Sequence, residues 1–183
     1  MPELDSVDAI FDLLAAGGGE AYFGEPITVL EHSLQAAWFV RREGAEDSLV
    51  AAALLHDLGH LLHDAGEDAA QRGYDTRHEE LGVEALQDHL PAAVLDPIKL
   101  HVAAKRYLCH AEPRYFASLS QASVESLALQ GGPMSAAETA AFLALQHARE
   151  AITLRHADDA AKVKGLAVPE LESYRLLVES LWR

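Results

Sequence analysis

Several features are scarce in this sequence, and each scarcity excludes a class of protein. The chain holds a single cysteine, Cys109. An internal disulfide is therefore excluded, and this cysteine usage fits a reducing cytoplasm. No apolar run approaches the roughly 20 residues that a transmembrane helix needs. Residues 1–5 are acidic and lack the basic region of a signal peptide. The sequence thus predicts a cytoplasmic protein with no membrane partner.

Basic residues are also few. Fourteen Lys and Arg stand against 29 Asp and Glu, which gives a formal net charge of −15. This charge argues against nucleic acid and anionic membranes as partners, because both require a basic surface. A small anionic substrate at a local cluster of metal, Lys and Arg remains compatible with it. No obligate protein partner is evident.

Helical spacing of apolar residues runs through nearly the whole chain. We predict an all-α fold, a bundle-like single domain over residues 1–183, because 183 residues suffice for one core and no linker divides the chain. Helices are expected to begin at or near residues 5, 27, 47, 76, 91, 118, 135 and 169. The helix near 47 is expected to carry the pair His56-Asp57, and the one near 135 to run unbroken to about 159.

Helix start signals support these positions. Asp5 is the predicted cap of the first helix, and Asp47 or Ser48 that of the third. Two stretches, 76–79 and 135–138, have the Ser/Thr-x-x-Glu spacing of a capping box.

The pair His56-Asp57 lies in the apolar stretch 49–58. An ionised Asp on a buried helix face costs several kcal/mol unless a cation compensates it. His and Asp together form an N/O ligand set suited to Fe, Mn, Ni or Zn. The alternative is a helix end with an exposed His and a capping Asp.

Inward-facing ligand candidates recur on five predicted helices. Each His alone is also compatible with a hydrogen-bonded helix histidine, but the set as a whole predicts a metal site. The candidate metal ligands are His32, His56, Asp57, His78, His101 and Asp158.

The order of these residues, H…HD…H…H…D in an all-helical chain, resembles the HD-domain superfamily. The resemblance covers residues 32–158 and implies an HD-domain helical bundle, with a metal-binding core at about 27–160 and a C-terminal helix at about 169–182. It also implies two metals. The first takes the positions of His32, His56, Asp57 and Asp158, the second those of His78 and His101, and Asp57 bridges them.

Stretches that metal ligation does not require carry a closer resemblance. Residues 24–35, 54–60, HVAAKRYL at 101–108, SLSQAS at 118–123 and QGGPM at 130–134 are similar to the HD-domain mixed-valent di-iron oxygenases of organophosphonate catabolism (the PhnZ/TmpB type). The resemblance implies two iron ions, Fe(II)/Fe(III), with O2 as co-substrate. It implies oxidative cleavage of the C–P bond of a 1-hydroxyphosphonate, which releases phosphate and a carboxylic acid. A primary ammonium and a trimethylammonium at C2 both remain open.

Polar residues near the ligands suit an anionic substrate. Lys105 lies one helical turn after His101, and His60 follows His56 by four residues, so both are expected to reach a phosphonate oxygen. A solvated basic turn at Lys105 is the alternative, as is helix capping for the serines. The further candidate substrate contacts are Ser123, Ser126, Gln130 and Arg155.

Tyr22 and Glu25 lie in the connector before the helix of His32. In the similar oxygenases the matching Tyr and Glu form a gate. The resemblance implies that Tyr22 ligates the second iron without substrate and that Glu25 meets the substrate's ammonium. Alternatively, Tyr22 and Phe23 form an apolar lid and Glu25 is a helix N-terminal charge. For a trimethylammonium, Tyr22, Phe23 and Tyr74 offer aromatic faces.

Two other functions stay open. An HD domain can be a phosphohydrolase that acts on a small phosphate ester through a metal-bound hydroxide. A metal-stabilised helical module without catalytic activity would instead show gaps in the ligand set, and none is found.

Overall fold

The predicted all-helical architecture is confirmed. A computed structural model describes residues 4–22, 24–66 and 69–183. Within these ranges it has ten α-helices, two 3-10 helices and no β-strand, only an isolated antiparallel bridge between Ala21 and Thr28. Over the same ranges, no helix combines the length and the apolar character needed to cross a membrane.

The α-helices are α1 (Val7–Gly17), α2 (Val29–Arg42), α3 (Asp47–Leu55), α4 (His78–Leu86), α5 (Ala92–Ala111), α6 (Tyr115–Ser118), α7 (Gln121–Leu129), α8 (Ala136–Leu143), α9 (Ala148–Ala160) and α10 (Arg175–Leu181). The 3-10 helices are Leu58–Leu62 and Leu171–Tyr174.

Helix α3 lies at the centre of the packing. Every residue from 49 to 55 is buried, so this short helix has no polar face. Helices α2, α5 and α9 pack against it, and α9 also contacts both α2 and α5. Helix α3 also contacts α10, and α4 packs on α5 and on the first 3-10 helix. Helices α2, α3, α5 and α9 therefore share one buried core.

The predicted start signals were right in part. Ser135 caps α8 and forms a capping box with Glu138, as expected. The structure overturns the other start predictions. Ser6 rather than Asp5 caps α1, Glu46 occupies the N-cap position of α3 in place of Asp47 or Ser48, and Arg77 precedes α4 without any side-chain cap from Thr76.

Two predicted helices are shorter than expected. The helix expected over 135–159 is broken in two, because His147 adopts a left-handed backbone (φ 59°) between α8 and α9. Helix α3 ends at Leu55, so His56 and Asp57 lie at its junction with the 3-10 helix Leu58–Leu62 and not inside a helix. The C-terminal helix begins with a 3-10 turn after Glu170.

Candidate active site

Four histidine rings converge on one buried carboxylate. Oδ2 of Asp57 lies 3.5 Å from Nε2 of His32. Oδ1 lies 3.4 Å from Nε2 of both His56 and His78, and 3.8 Å from that of His101. Two donor groups therefore share Asp57: His32–His56–Asp57 and Asp57–His78–His101, each with ligand atoms within 4.8 Å of one another.

Backbone carbonyls fix the orientation of three of these rings. The Nδ1 atoms lie against carbonyl oxygens as follows: His32 on Ala161 at 2.8 Å, His56 on Ala53 at 2.8 Å, and His101 on Ile98 at 2.7 Å. Each Nδ1 must carry the proton to donate this bond, so the neutral ring presents the Nε2 lone pair to the site.

These lone pairs require a cation. Nε2 of His32 and Nε2 of His56 face each other at 3.2 Å, beside a carboxylate. Two lone pairs at that distance repel each other unless a positive charge lies close to both. The donor set of imidazole nitrogen and carboxylate oxygen fits a first-row transition metal.

Asp158 extends the first donor group. Its Oδ1 lies 3.4 Å from Nε2 of His32. Its Oδ2 forms an ion pair with Nη1 of Arg155 at 2.7 Å. Burial alone would raise the pKa of Asp158, but Arg155 and the contact with His32 outweigh it and hold the pKa well below its usual range. Asp158 is therefore an anion with one oxygen facing the histidines.

The shared carboxylate is also kept ionised. Burial would raise the pKa of Asp57, yet the electrostatic interaction with His56 and the hydrogen bond with His78 hold it well below the usual range. Burial lowers the pKa of His56 and His101. The neutral form that burial favours in these two rings is the one that metal binding requires. Burial would also lower the pKa of His78, but the hydrogen bond with Asp57 and its charge outweigh burial and raise that pKa.

A glycine contact positions His60. A Cβ on Gly59 would lie 1.9 Å from the carbonyl oxygen of His78, so only glycine permits the 3-10 helix to approach the start of α4 so closely. As a result, the rings of His60 and His78 stack with centroids 3.9 Å apart.

The donor groups open into a cavity of about 100 Å³. The structure brings all the predicted substrate residues to its wall: Glu25, His60, Lys105, Ser123, Ser126, Gln130 and Arg155. Lys105 is buried, and its Nζ donates a 2.8 Å hydrogen bond to Oγ of Ser126. The alternative of a solvated turn is therefore wrong for Lys105. Burial, reinforced by the charge of Arg155, lowers the pKa of Lys105 to about 7.

The guanidinium of Arg155 is occupied by hydrogen bonds and ion pairs to neighbouring side chains. Besides Asp158 it donates to Asp159, to the hydroxyl of Tyr115 at 3.0 Å, and to Oγ of Ser123 at 3.4 Å. Two carboxylates thus neutralise much of its charge. This pattern favours a role in orienting Asp158 over direct binding of substrate.

Tyr22 and Glu25 lie in a tight loop before α2. The Tyr22 N–H donates to the carbonyl of Ile27, and that of Glu25 to the carbonyl of Tyr22. Tyr22 is buried and its hydroxyl donates to Asp57, whereas Glu25 is half-buried. Burial and the nearby carboxylates raise the pKa of Tyr22 well above its usual value, so a phenolate here needs a bound cation. Phe23 lies outside the described residues.

Sequence reasoning gave no role to several residues of the cavity wall, among them Lys162 and Ser120. The same wall contains Tyr74. Only the three-dimensional structure shows that Lys162 and Ser120 line the cavity. Lys162 was expected at the end of a helix and Ser120 inside one, so neither pattern pointed inward. Tyr74 was proposed only as an aromatic face, and it lines the cavity while remaining largely exposed.

Comparison of the sequence with models of known protein families identifies the family of this chain. The HD domain family model matches residues 29–161, the span that contains every candidate metal ligand. The chain belongs to the HD-domain family.

Two curated relatives extend over nearly the whole chain. One is the 1-hydroxy-2-(trimethylamino)ethyl phosphonate dioxygenase (glycine-betaine-forming) of Leisingera caerulea, 38% identical over 97% of this chain and 89% of the relative. Another is the hydroxymethylphosphonate dioxygenase of Gimesia maris, 43% identical over 96% of this chain and 88% of the relative. Both names favour an oxygenase over a phosphohydrolase.

Proposed function

We propose that the protein is a di-iron oxygenase that cleaves the C–P bond of a 1-hydroxyphosphonate with O2. The products are phosphate and a carboxylic acid, which is glycine or a glycine betaine-type acid for substrates with a C2 amine or trimethylammonium. The observation that carries the proposal is a carboxylate, Asp57, shared by two histidine groups at the end of a cavity with a buried lysine. The two phosphonate dioxygenase relatives support the same chemistry.

Each part of the cavity has a task. His32, His56, Asp57 and Asp158 hold one iron, and His78 and His101 with Asp57 hold the other. The bound pair supplies substrate chelation and O2 activation.

Protein groups bind the phosphonate. Nζ of Lys105 is buried beside Ser126, so a phosphonate oxygen there gains a charge-assisted hydrogen bond in a low dielectric. His60 is stacked beside the second donor group and offers a ring nitrogen. Ser123, Ser126 and Gln130 add neutral partners.

The substrate's far end meets Glu25. Its carboxylate lines the cavity in the loop before α2 and accepts a hydrogen bond from a primary ammonium, while Tyr74 offers an aromatic face to a trimethylammonium. A cytoplasmic location remains a prediction from the single cysteine.

The test is anaerobic reconstitution with iron, followed by assay of phosphate release with and without O2. The substrate panel comprises 2-amino-1-hydroxyethylphosphonate, its trimethylammonio form and hydroxymethylphosphonate. We expect release only with iron and O2, and a low-temperature electron paramagnetic resonance signal of a coupled Fe(II)/Fe(III) pair. Equal phosphate release without O2, or with manganese alone, would contradict the oxygenase. Release from a small phosphate ester but from none of the phosphonates would establish a phosphohydrolase instead.

A further inference from the structure

Gln35 is a buried amide with no place in the proposed chemistry. Only 1% of it is exposed, and it lies on α2 one helical turn after His32. Its Nε2 donates to the carbonyl of Val163 at 2.9 Å, and its Oε1 accepts from the N–H of the same residue at 3.0 Å. A single side chain thus satisfies both backbone groups of one residue beyond α9, as a paired strand would.

The segment held in this way carries two groups of the site. The carbonyl of Ala161 accepts the Nδ1 proton of His32, so it sets the direction of the His32 lone pair. Lys162, between the two anchored residues, places its Nζ 3.5 Å from Oγ of both Ser120 and Ser123. Its nearest carboxylate oxygen, on Asp159, is 3.9 Å away.

Lys162 therefore remains available to an anion. The ion pair with Asp159 is long, and Arg155 already holds the same Oδ1 atom. Both Lys162 and the two serines line the cavity that contains Lys105. A tetrahedral oxyanion there meets one cation from α5 and a second from the end of α9.

We propose that Gln35 is a positioning residue that fixes residues 161–163, and so sets both the His32 lone pair and the place of Lys162 as a second cation for the substrate's phosphonate. That the anion is the phosphonate rests on the proposed function. The binding of iron and of inorganic phosphate, however, can be measured without turnover and holds for any reaction of this site.

The two hydrogen bonds between Gln35 and Val163, here called the clamp, and the charge of Lys162 can be tested separately. Lys162→Met should weaken phosphate binding by roughly tenfold, the usual loss for a charge-assisted hydrogen bond, with iron content unchanged. Gln35→Met should weaken phosphate binding and also make iron roughly tenfold easier to remove with a chelator, because it loosens an outer partner of a metal ligand. Gln35→Glu keeps an acceptor for the Val163 N–H, so its phosphate affinity and its iron retention should both lie between those of Gln35→Met and the wild type.

The matched control is Leu34→Met, a neighbouring buried position on the same helix with the same new side chain. Leu-to-Met exchanges cost little in packed cores, so iron retention and phosphate affinity should stay at wild-type values. Thermal melts of each variant report folding. If Gln35→Met does not fold, the Gln35→Glu and Lys162→Met variants still carry the test.

A double-mutant cycle decides the coupling. If Gln35 positions Lys162, Lys162→Met should cost clearly less phosphate affinity in the Gln35→Met background than in the wild type. Independent effects that multiply would overturn the positioning role. Phosphate affinity that is unchanged in Lys162→Met would overturn the second cation. Oxygen-dependent turnover enters neither measurement, so a failed proposed function and a failed clamp give different results.

Discussion

The hydroxyl of Tyr22 donates a 2.8 Å hydrogen bond to Oδ2 of Asp57, the carboxylate that both donor groups share. The Tyr22 ring also stacks on that of His32, with centroids 3.9 Å apart. The phenol thus covers the His32 side of the carboxylate. Its role as a ligand of the second iron stays a prediction. The hydroxyl contacts the shared carboxylate, and the ring contacts His32 of the first donor group.

Replacing this phenol tests whether it restrains the iron. Tyr22→Phe keeps the stacked ring and removes the oxygen that can bind Asp57 or iron. We expect any tyrosinate-to-iron absorption of the resting enzyme to vanish and the iron pair to be oxidised by O2 without substrate. Absorption spectra and substrate-free O2 consumption measure this. Tyr74→Phe at the exposed side of the cavity is the control, and equal consumption in both variants would remove Tyr22 from the gate.

The shared carboxylate should determine the binding of both metals. Asp57→Ala removes an anion common to the two groups, so we expect almost no iron after reconstitution. His78→Ala or His101→Ala removes a ligand of the second group only, and about half the iron should remain. His156→Ala, a half-exposed His on α9 away from the site, should keep it all. Full iron occupancy in Asp57→Ala would contradict the bridging role.

That the histidines of the two donor groups and Asp57 face the interior together could be predicted from the sequence, because His and Asp are rare in apolar surroundings. Their role as metal ligands stays a prediction. His56 and Asp57 follow a fully buried helix, so their inward direction could be inferred from the residues around them. The break at His147 could not be inferred, since no glycine or proline marks it and its left-handed backbone depends on the packing of α8 and α9. Lys162 was missed for a similar reason, because the side chain that directs it is Gln35, 127 positions earlier in the chain.

Lys105 should contribute to substrate affinity. A charge-assisted hydrogen bond is worth about 1.5–3 kcal/mol, so Lys105→Ala should lower kcat/KM by roughly ten- to a hundredfold without loss of iron. Lys99→Ala, an exposed lysine on the same helix, is the control and should be neutral. Unaltered kinetics in Lys105→Ala would mean that this lysine does not touch the substrate.

The same lysine predicts a pH dependence. Burial and Arg155 lower the pKa of Lys105 to about 7, so the fraction of ammonium falls as the pH rises through this value. We expect kcat/KM of the wild type to fall above about pH 7. The ratio of wild type to Lys105→Ala should shrink over the same range, which separates the lysine from titration of the substrate. A ratio that is constant with pH would contradict this assignment.

Glu25 should discriminate among substrates. Glu25→Ala removes the acceptor for an ammonium, so KM for 2-amino-1-hydroxyethylphosphonate should rise far more than KM for hydroxymethylphosphonate, which has no nitrogen. Steady-state kinetics of the two substrates measure the difference, with exposed Glu20→Ala as the control. Equal losses on both substrates would place Glu25 outside the recognition site.

The origin of the oxygen in the products tests the central claim most directly. Iron-loaded protein is given a 1-hydroxyphosphonate and isotopically labelled O2 in ordinary water, and the carboxylic acid is examined by mass spectrometry. Oxidative cleavage of the C–P bond predicts a labelled oxygen atom in the carboxylate. Phosphate release with no label from O2 in either product would contradict the oxygenase.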